Sequence, residues 1–404
     1  MSPALQGLLT IVLGVGGCVA YFYFSNQFLD RVLFPAKGVN AGRNINRANM
    51  IRPWLFLFPA LAALGLYLAY PVVETLRLSL TDRDQGGAFV GLENYRQMFG
   101  EDKFWEAMRN NMLWLIIVPA ASTAFGLLAA QLSDRLSWGS VAKSLIFMPM
   151  AISFVGAAVI FKLIYDTRPV DQAQIGVMNA VWLQFEGGIG SFLVLRLLPG
   201  LLMLCGAAAA GYVALGLFNA IREKGRPILR GIGVVLLALI VIAFLRLALG
   251  AFTANHPYGE PQTWLTIPGW NSFLLMIVLI WIQTGFAMVI LSAALRGIPE
   301  ETVEAAIVDG ANPFQVFFKI KLPQISGTIV VVWTTITLTV LKVFDIVFAM
   351  TNGQWETQVL ANYMFDKLFR ANDWGMGSAA AMIIMLLVSP ILIWNVYNAR
   401  KEMK

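Results

Sequence analysis

Histidine, cysteine and charge are all scarce in this 404-residue chain. There is one histidine, His256, in the stretch before Pro257, and nothing near it completes a metal site or a catalytic set. The two cysteines, Cys18 and Cys205, fall in apolar runs with no metal or redox spacing, so the sequence predicts buried, inert thiols. Val15-Gly16-Gly17-Cys18 faintly resembles a lipoprotein cleavage box, but no Lys or Arg precedes it before Arg31, which argues against a signal peptide. No phosphate-binding loop is present. Trp138 to Ser144 comes nearest, with Ala142 where glycine is required and no strand before it. No loop exceeds about 30 residues, which excludes a separate soluble catalytic domain.

What is abundant is apolar sequence. Hydrophobic residues make up 58% of the chain and charged residues 13%, with mean hydropathy +0.70. A soluble domain runs at about 45–50% apolar and about 25% charged. The pattern predicts an all-α, polytopic transmembrane helix bundle with about nine spans. They fall near 5–24, 54–80, 110–132, 144–165, 191–219, 231–251, 272–295, 325–350 and 378–398. The net charge of +6 reads as topology bias and not as affinity for nucleic acid. Loops on one side, the C-terminal tail included, hold 17 Lys and Arg, and those on the other hold 8. The positive-inside rule puts the richer set in the cytoplasm, with the N-terminus outside and the C-terminus inside.

The segment 296–323 lies between two apolar runs and is too polar for lipid. Pro299 suits the first position of a helix, with Glu300, Glu301 and Glu304 at its positive end. Gly310 suits the end of that helix, and Asn312 with Pro313 the start of another. A helical wheel puts Val303, Ile307 and Ala311 toward the protein. Ala305 and Val308 fall on the other side, between Glu304 and Asp309. Residues alone leave two readings open: an acid-edged docking knob, or an ordinary surface hairpin.

Glu304-Ala305-Ala306, Asp309-Gly310-Ala311, Ile320 and Leu322-Pro323 resemble the EAA loop of ABC-importer permeases. The pattern is long and holds without departure. The resemblance implies a coupling helix that docks on an ATPase subunit, with Glu304, Ala305, Ala306, Asp309, Gly310 and Pro323 as coupling residues. Pro53 to Pro71 and Phe89 to Tyr95 resemble the sugar permeases of this family. Lys143 to Gly156, Trp281 to Met288 and Leu341 to Met350 are similar to its α-glucoside (maltose-type) members. The likeness covers about 50–190 and 262–400. It implies a MetI-like permease core over 53–404, with a two-helix insertion at 188–262. An extra N-terminal helix and a basic cytoplasmic linker would occupy 1–52. It also implies a second permease, an ABC ATPase dimer that binds ATP and Mg, and an extracytoplasmic sugar-binding protein. The chain itself would hold no cofactor.

Polar groups inside spans cost about 2.5–3.5 kcal/mol at a helix centre on insertion scales and mark pathways by default. Lys342 and Asp345, three apart, are expected to face each other as a pair, on a stripe with Thr334, Leu338 and Leu341. They line a path or hold two helices together. Trp281 and Gln283 suit a sugar, whose C–H face stacks on aromatic rings and whose hydroxyls need amides; packing is the plainer account. Phe286 is a further candidate near Gln283. Arg196 and Arg246 read as snorkelling side chains, the threonines at 334–337 as bonded to their own helix, and 206–211 (GAAAAG) as a close helix contact. The expected function is therefore the permease subunit of an ATP-driven importer of α-glucosides. The alternative is an ion-coupled secondary sugar transporter or channel with Lys342 and Asp345 as its relay. The lack of an apparent inverted repeat or broken-helix pair argues against it.

Overall fold

Inside a bilayer every backbone amide needs an internal partner, so the apolar runs close into helices. The computed structural model describes residues 3–35, 41–82, 86–134, 136–184, 192–224, 227–253 and 260–402. His256 and the Gly225-Arg226 link lie outside them. The chain forms two compact units, Met1–Met98 with Lys367–Ile383, and Phe99–Asp366 with Ile384–Lys404.

In the first unit α1 (Leu5–Leu33) packs beside α2 (Ala41–Ser79). Phe22 stacks on Phe56 at 5.4 Å, the Tyr21 hydroxyl donates to the Leu55 carbonyl at 2.9 Å, and Arg52 pairs with Asp30 at 2.6 Å. The basic linker is not a separate loop: α2 begins at Ala41 and carries Arg43, Arg47 and Arg52 as helix. At 39 residues it is roughly 58 Å long, well beyond a hydrocarbon core of about 30 Å. A short hairpin follows, β1 (Thr81–Asp82) against β2 (Ala88–Phe89), with Thr81 opposite Phe89. Then comes α3 (Glu93–Phe99), whose buried Asn94 donates to the carbonyls of Ser79 and Thr81.

The second unit is built around α4 (Asp102–Ser133) and α10 (Trp270–Arg296). Beside them lie α5 (Gly139–Ala151) and α6 (Phe154–Ile164), followed in sequence by α7 (Val177–Leu183), while α8 (Leu198–Lys224) and α9 (Pro227–Thr253) pack on each other. After α10 come α11 (Glu300–Val308), α12 (Pro313–Gln324), α13 (Ser326–Leu341), α14 (Asp345–Met350) and α15 (Leu360–Phe365). The final helix, α16, runs Trp374–Glu402. Leu275, Leu279, Ile282, Met288 and Leu291 of α10 form the core with Trp114 and Val118 of α4 and Val332, Ile336 and Val340 of α13. Two glycines let α10 come close. A Cβ at Gly126 would lie 2.5 Å from the Cβ of Ala287, and one at Gly285 would lie 2.6 Å from the Ile146 carbonyl. After α14 the chain turns sharply, with Asn352, Trp355 and Glu356 at φ of 55°, 52° and 61°. Such backbone costs of order 1 kcal/mol or more per residue and needs an external hold. Asn110 supplies one by donating to the carbonyls of Glu356 and Gln358, and Asn271 another by donating to that of Trp355.

Several expectations need correction. Among the described residues six helices are long and apolar enough to cross a membrane, or eight if two bent pairs each count once, beside the nine expected. The expected span 144–165 bends by 102° between α5 and α6. Pro149 lies in the last turn of α5, and the Ser153 side chain caps α6 by accepting from the Gly156 amide. The expected span 325–350 stops at Leu341, and α13 is set at 69° to α12. Broken helices are therefore present, contrary to the sequence reading. The final helix, α16, runs unbroken through the expected span 378–398. The two cysteines are free and exposed and not buried, because α1 and α8 have little protein around them. In the turn leading into α8 the Arg196 Nε is buried with no hydrogen bond, which simple snorkelling does not explain. Arg246 is exposed. The small-residue run does make a close contact: a Cβ at Gly206 would meet the Phe244 ring at 3.0 Å.

Candidate functional site

The polar hairpin after α10 folds as two capped helices. Pro299 is the cap of α11 and not its first residue, so Glu300 opens the helix one position later than expected. The helix ends in two reversed bonds, Gly310 N–H to the Ile307 carbonyl and Ala311 N–H to the Ala306 carbonyl, both 3.0 Å. This closure puts Gly310 at φ +84°, where a side chain would be strained. Asn312 and Gln315 then form a reciprocal capping box at the start of α12. With α11 closed by these bonds, α12 opened by the capping box and only Gly310 to Asn312 between them, the hairpin is a stiff projection.

Its faces differ in one respect from the helical wheel. Val303 packs on the core, and Ala306 and Ala311 are half-buried. Ile307, assigned to the protein side, is 57% exposed. It joins Ala305, Val308 (87% exposed) and Phe314 (76%) on the open face, with Phe318 beyond them. Glu304 and Asp309 edge this patch, both exposed and in no ion pair among the described residues. Pro323 is exposed in the last turn of α12. A contiguous exposed apolar surface with a polar rim is the physical signature of a docking site.

One cluster near this hairpin escaped the sequence reading. Asp134 caps the C-terminal end of α4. Its Oδ1 accepts from Lys143 Nζ on α5, from Ser292 Oγ on α10 at 3.1 Å, and from Arg296 Nε and Nη2 at 3.1 Å. Burial alone would raise the Asp134 pKa; hydrogen bonds from Lys143 and Arg296 outweigh it and hold the carboxyl below its ordinary value. An acid at a helix C-terminus opposes the helix dipole. That misplacement was the available signal.

The membrane candidates do not form one site within the chain. Trp281 is exposed and meets Phe161 edge-on at 5.4 Å. Gln283 is buried and makes no hydrogen bond among the described residues. At 3.6 residues per turn the two point about 160° apart on α10, whereas Gln283 and Phe286 lie about 60° apart. Phe286 is partly buried against the core. Thr334 returns its hydroxyl to the Val331 carbonyl at 3.0 Å, and Thr335 and Thr337 also bond back within α13. Lys342 and Asp345 are not a helical pair. Lys342 ends α13 at φ −103°, Asp345 begins α14, and no ion pair joins them. The stripe from Thr334 to Asp345 is interrupted at that break. Phe344 there stacks on Phe348 at 5.0 Å and packs on Phe365 at 5.2 Å, which holds the chain off the helical path. Lys342 and Asp345 instead border a small cavity of about 20 Å³ with Phe154, Leu279 and Thr339.

Residues 122–403 match the family model described as binding-protein-dependent transport system inner membrane component. The chain is 51% identical over 406 residues to the alpha-glucoside transport system permease protein AglF of Rhizobium meliloti (strain 1021), covering 100% of this chain and 99% of that protein. It is 36% identical over 350 residues to the osmoprotective compounds uptake permease protein GgtC of Synechocystis sp., covering 87% and 99%. A solved bacterial ABC transporter involved in the import of the acidic polysaccharide alginate shares the fold, with TM-score 0.60 and 16% identity over 90% of this chain and 99% of that one.

Proposed function

The chain belongs to the family of binding-protein-dependent transport system inner membrane components, the permeases of ABC importers, and from that premise we propose that it carries α-glucosides across the cytoplasmic membrane. The observation that carries this reading is full-length identity of 51% to an α-glucoside permease. A permease of this family is not itself catalytic and binds no cofactor, so the work comes from an ATPase that holds ATP and Mg. In the proposed assembly this chain pairs with a second permease, docks on an ATPase dimer, and receives sugar from an extracytoplasmic binding protein.

The coupling contact is the capped hairpin. Glu304, Ala305, Ala306, Asp309, Gly310 and Pro323 transmit the ATPase motion, with Val308 and Phe314 filling the partner's groove. The hairpin then lies in the cytoplasm, as does the C-terminus, with the N-terminus outside; the Lys and Arg bias supports this orientation. Nucleotide binding shifts the transporter only to the extent that the loaded ATPase prefers one placement of these hairpins. Trp281, Gln283, Phe286, Thr334, Lys342 and Asp345 remain the candidates for the sugar path; those that reach it do so from separate faces and line it jointly with the second permease. The helix 5–33 and the segment 188–262 are additions to the core that the α-glucoside relative matches in length.

The test is reconstitution in vesicles with the ATPase, second permease and binding protein. Trehalose, maltose or sucrose should each be tried for stimulated ATP hydrolysis and for uptake. Stimulation by none of them, with response to an unrelated solute, would overturn the substrate assignment.

A further inference from the structure

We propose that Asp134 is a positioning residue that makes α4, α5 and α10 turn as one rigid body with the coupling hairpin. This rests on the importer reading above. Two contacts at different depths join α4 to α10. Helices α4 and α10 touch backbone to backbone where Gly126 meets Ala287 and Met288. Eight residues further along α4, about 12 Å at 1.5 Å per residue, stands Asp134. Nine residues beyond Ala287, about 13.5 Å along α10, stands Arg296, bonded to that same carboxylate. Apolar contacts of Leu291 and Leu295 continue past that crossing, and Asp134 adds a directional polar tie at the end of α4. Apolar contacts tolerate sliding; the tie fixes how the helix ends sit.

The third helix is tied in the same way. A Cβ at Gly139 would fall on the Ser133 carbonyl, so α5 starts directly against the end of α4. Gly285 rests on the Ile146 carbonyl, which brings α5 against α10. Lys143, one turn into α5, then reaches both Asp134 and Ser292. A single carboxylate oxygen thus gathers donors from two helices onto the end of a third. Arg296 is the last residue of α10, and α11 begins at Glu300. Between them the buried Ile298 anchors the link, so the direction of α10 at the knot sets where the hairpin stands. A push on α11 therefore arrives at α4 and α5 through Asp134. Without the carboxylate, the end of α4 is held to α10 by apolar contacts alone and the push is passed on poorly.

The readout is sugar moved per ATP hydrolysed by the complete transporter in vesicles. Asp134→Asn should lower that ratio by roughly 5-fold or more, the lower range of ordinary coupling between sites. Asp134→Glu, which keeps the charge, should recover most of it. Removing the carboxylate leaves Lys143 without its counter-charge, so the double variant Asp134→Asn with Lys143→Met removes the stranded charge and should assemble while staying uncoupled. An assembled variant with an undiminished ratio overturns the proposal. Failure of both variants to assemble assigns Asp134 to folding alone and also overturns it. A wild-type complex that moves no α-glucoside overturns the substrate reading instead, and the ratio is then read with whichever solute drives it.

Discussion

Helices α9 and α10 have equal length, 27 residues, and both are apolar enough to cross a bilayer. Of their most apolar stretches, 6% of α9 is buried against 61% of α10. The buried helix is the more polar of the two. It carries Asn271, Ser272, Gln283, Thr284 and Ser292, whereas the apolar stretch of α9 holds only Arg246 as a strongly polar group. In water the reverse would hold. Lipid accepts leucine and isoleucine at no cost, so apolarity does not drive a helix inward, and polar or small residues find their partners inside the protein. Hydropathy therefore marks which segments enter the membrane, and the polar exceptions mark which of them form the core.

The largest expected effect is at the glycine contact. Gly285→Leu drives a side chain into the Ile146 backbone, which cannot yield as a side chain can. Loss of assembled complex on size-exclusion chromatography is expected, whereas Gly206→Ala on α8, against the movable Phe244 ring, should assemble normally. Equal yields of the two would break the contrast between the core helix and the exposed pair α8 and α9. Glu304→Ala comes next: the protein should insert and assemble, and uptake should fall to background because the exposed carboxylate acts on a partner. Normal sugar accumulation in that variant removes the coupling role.

A matched pair of truncations sharpens the contrast further. Leu279→Ala in the α10 core should cost about 2–5 kcal/mol. Leu239→Ala on the exposed face of α9 should change stability by no more than about 0.5 kcal/mol. Thermal melting of the detergent-solubilised complex measures both. The smallest effect is one of pH. The folded Asp134 pKa is lowered, so its contribution is fully present above the ordinary carboxylate range and is lost only as pH falls through the depressed value. The melting temperature of wild type minus Asp134→Asn should then stay constant from neutral pH down to about pH 5, where unperturbed carboxylates begin to titrate.

The hairpin at 296–323 was legible because its signals are local. Proline and acids open α11, glycine closes it, and Asn312 caps its successor, each acting within one turn of chain. The ends of α2 and α4 were not, since their polar first turns look like loop until the helix is seen to continue through them. The Lys342/Asp345 pairing failed because it assumed one helix; the Phe344, Phe348 and Phe365 contacts that stop α13 join residues distant in sequence. Asp134 was invisible for the same reason. Ser292 and Arg296 lie 158 and 162 residues away.

The order of residues by itself determined that the chain enters a membrane and carries a capped, acid-edged projection, because hydropathy and helix caps are properties of neighbours. Only tertiary structure decided which span is the core, where two expected spans bend, and which carboxylate ties three helices together. Those outcomes depend on backbones approaching at Gly126 and Gly285, and on charges meeting across folds of the chain, and no window of sequence contains both sides of such a contact.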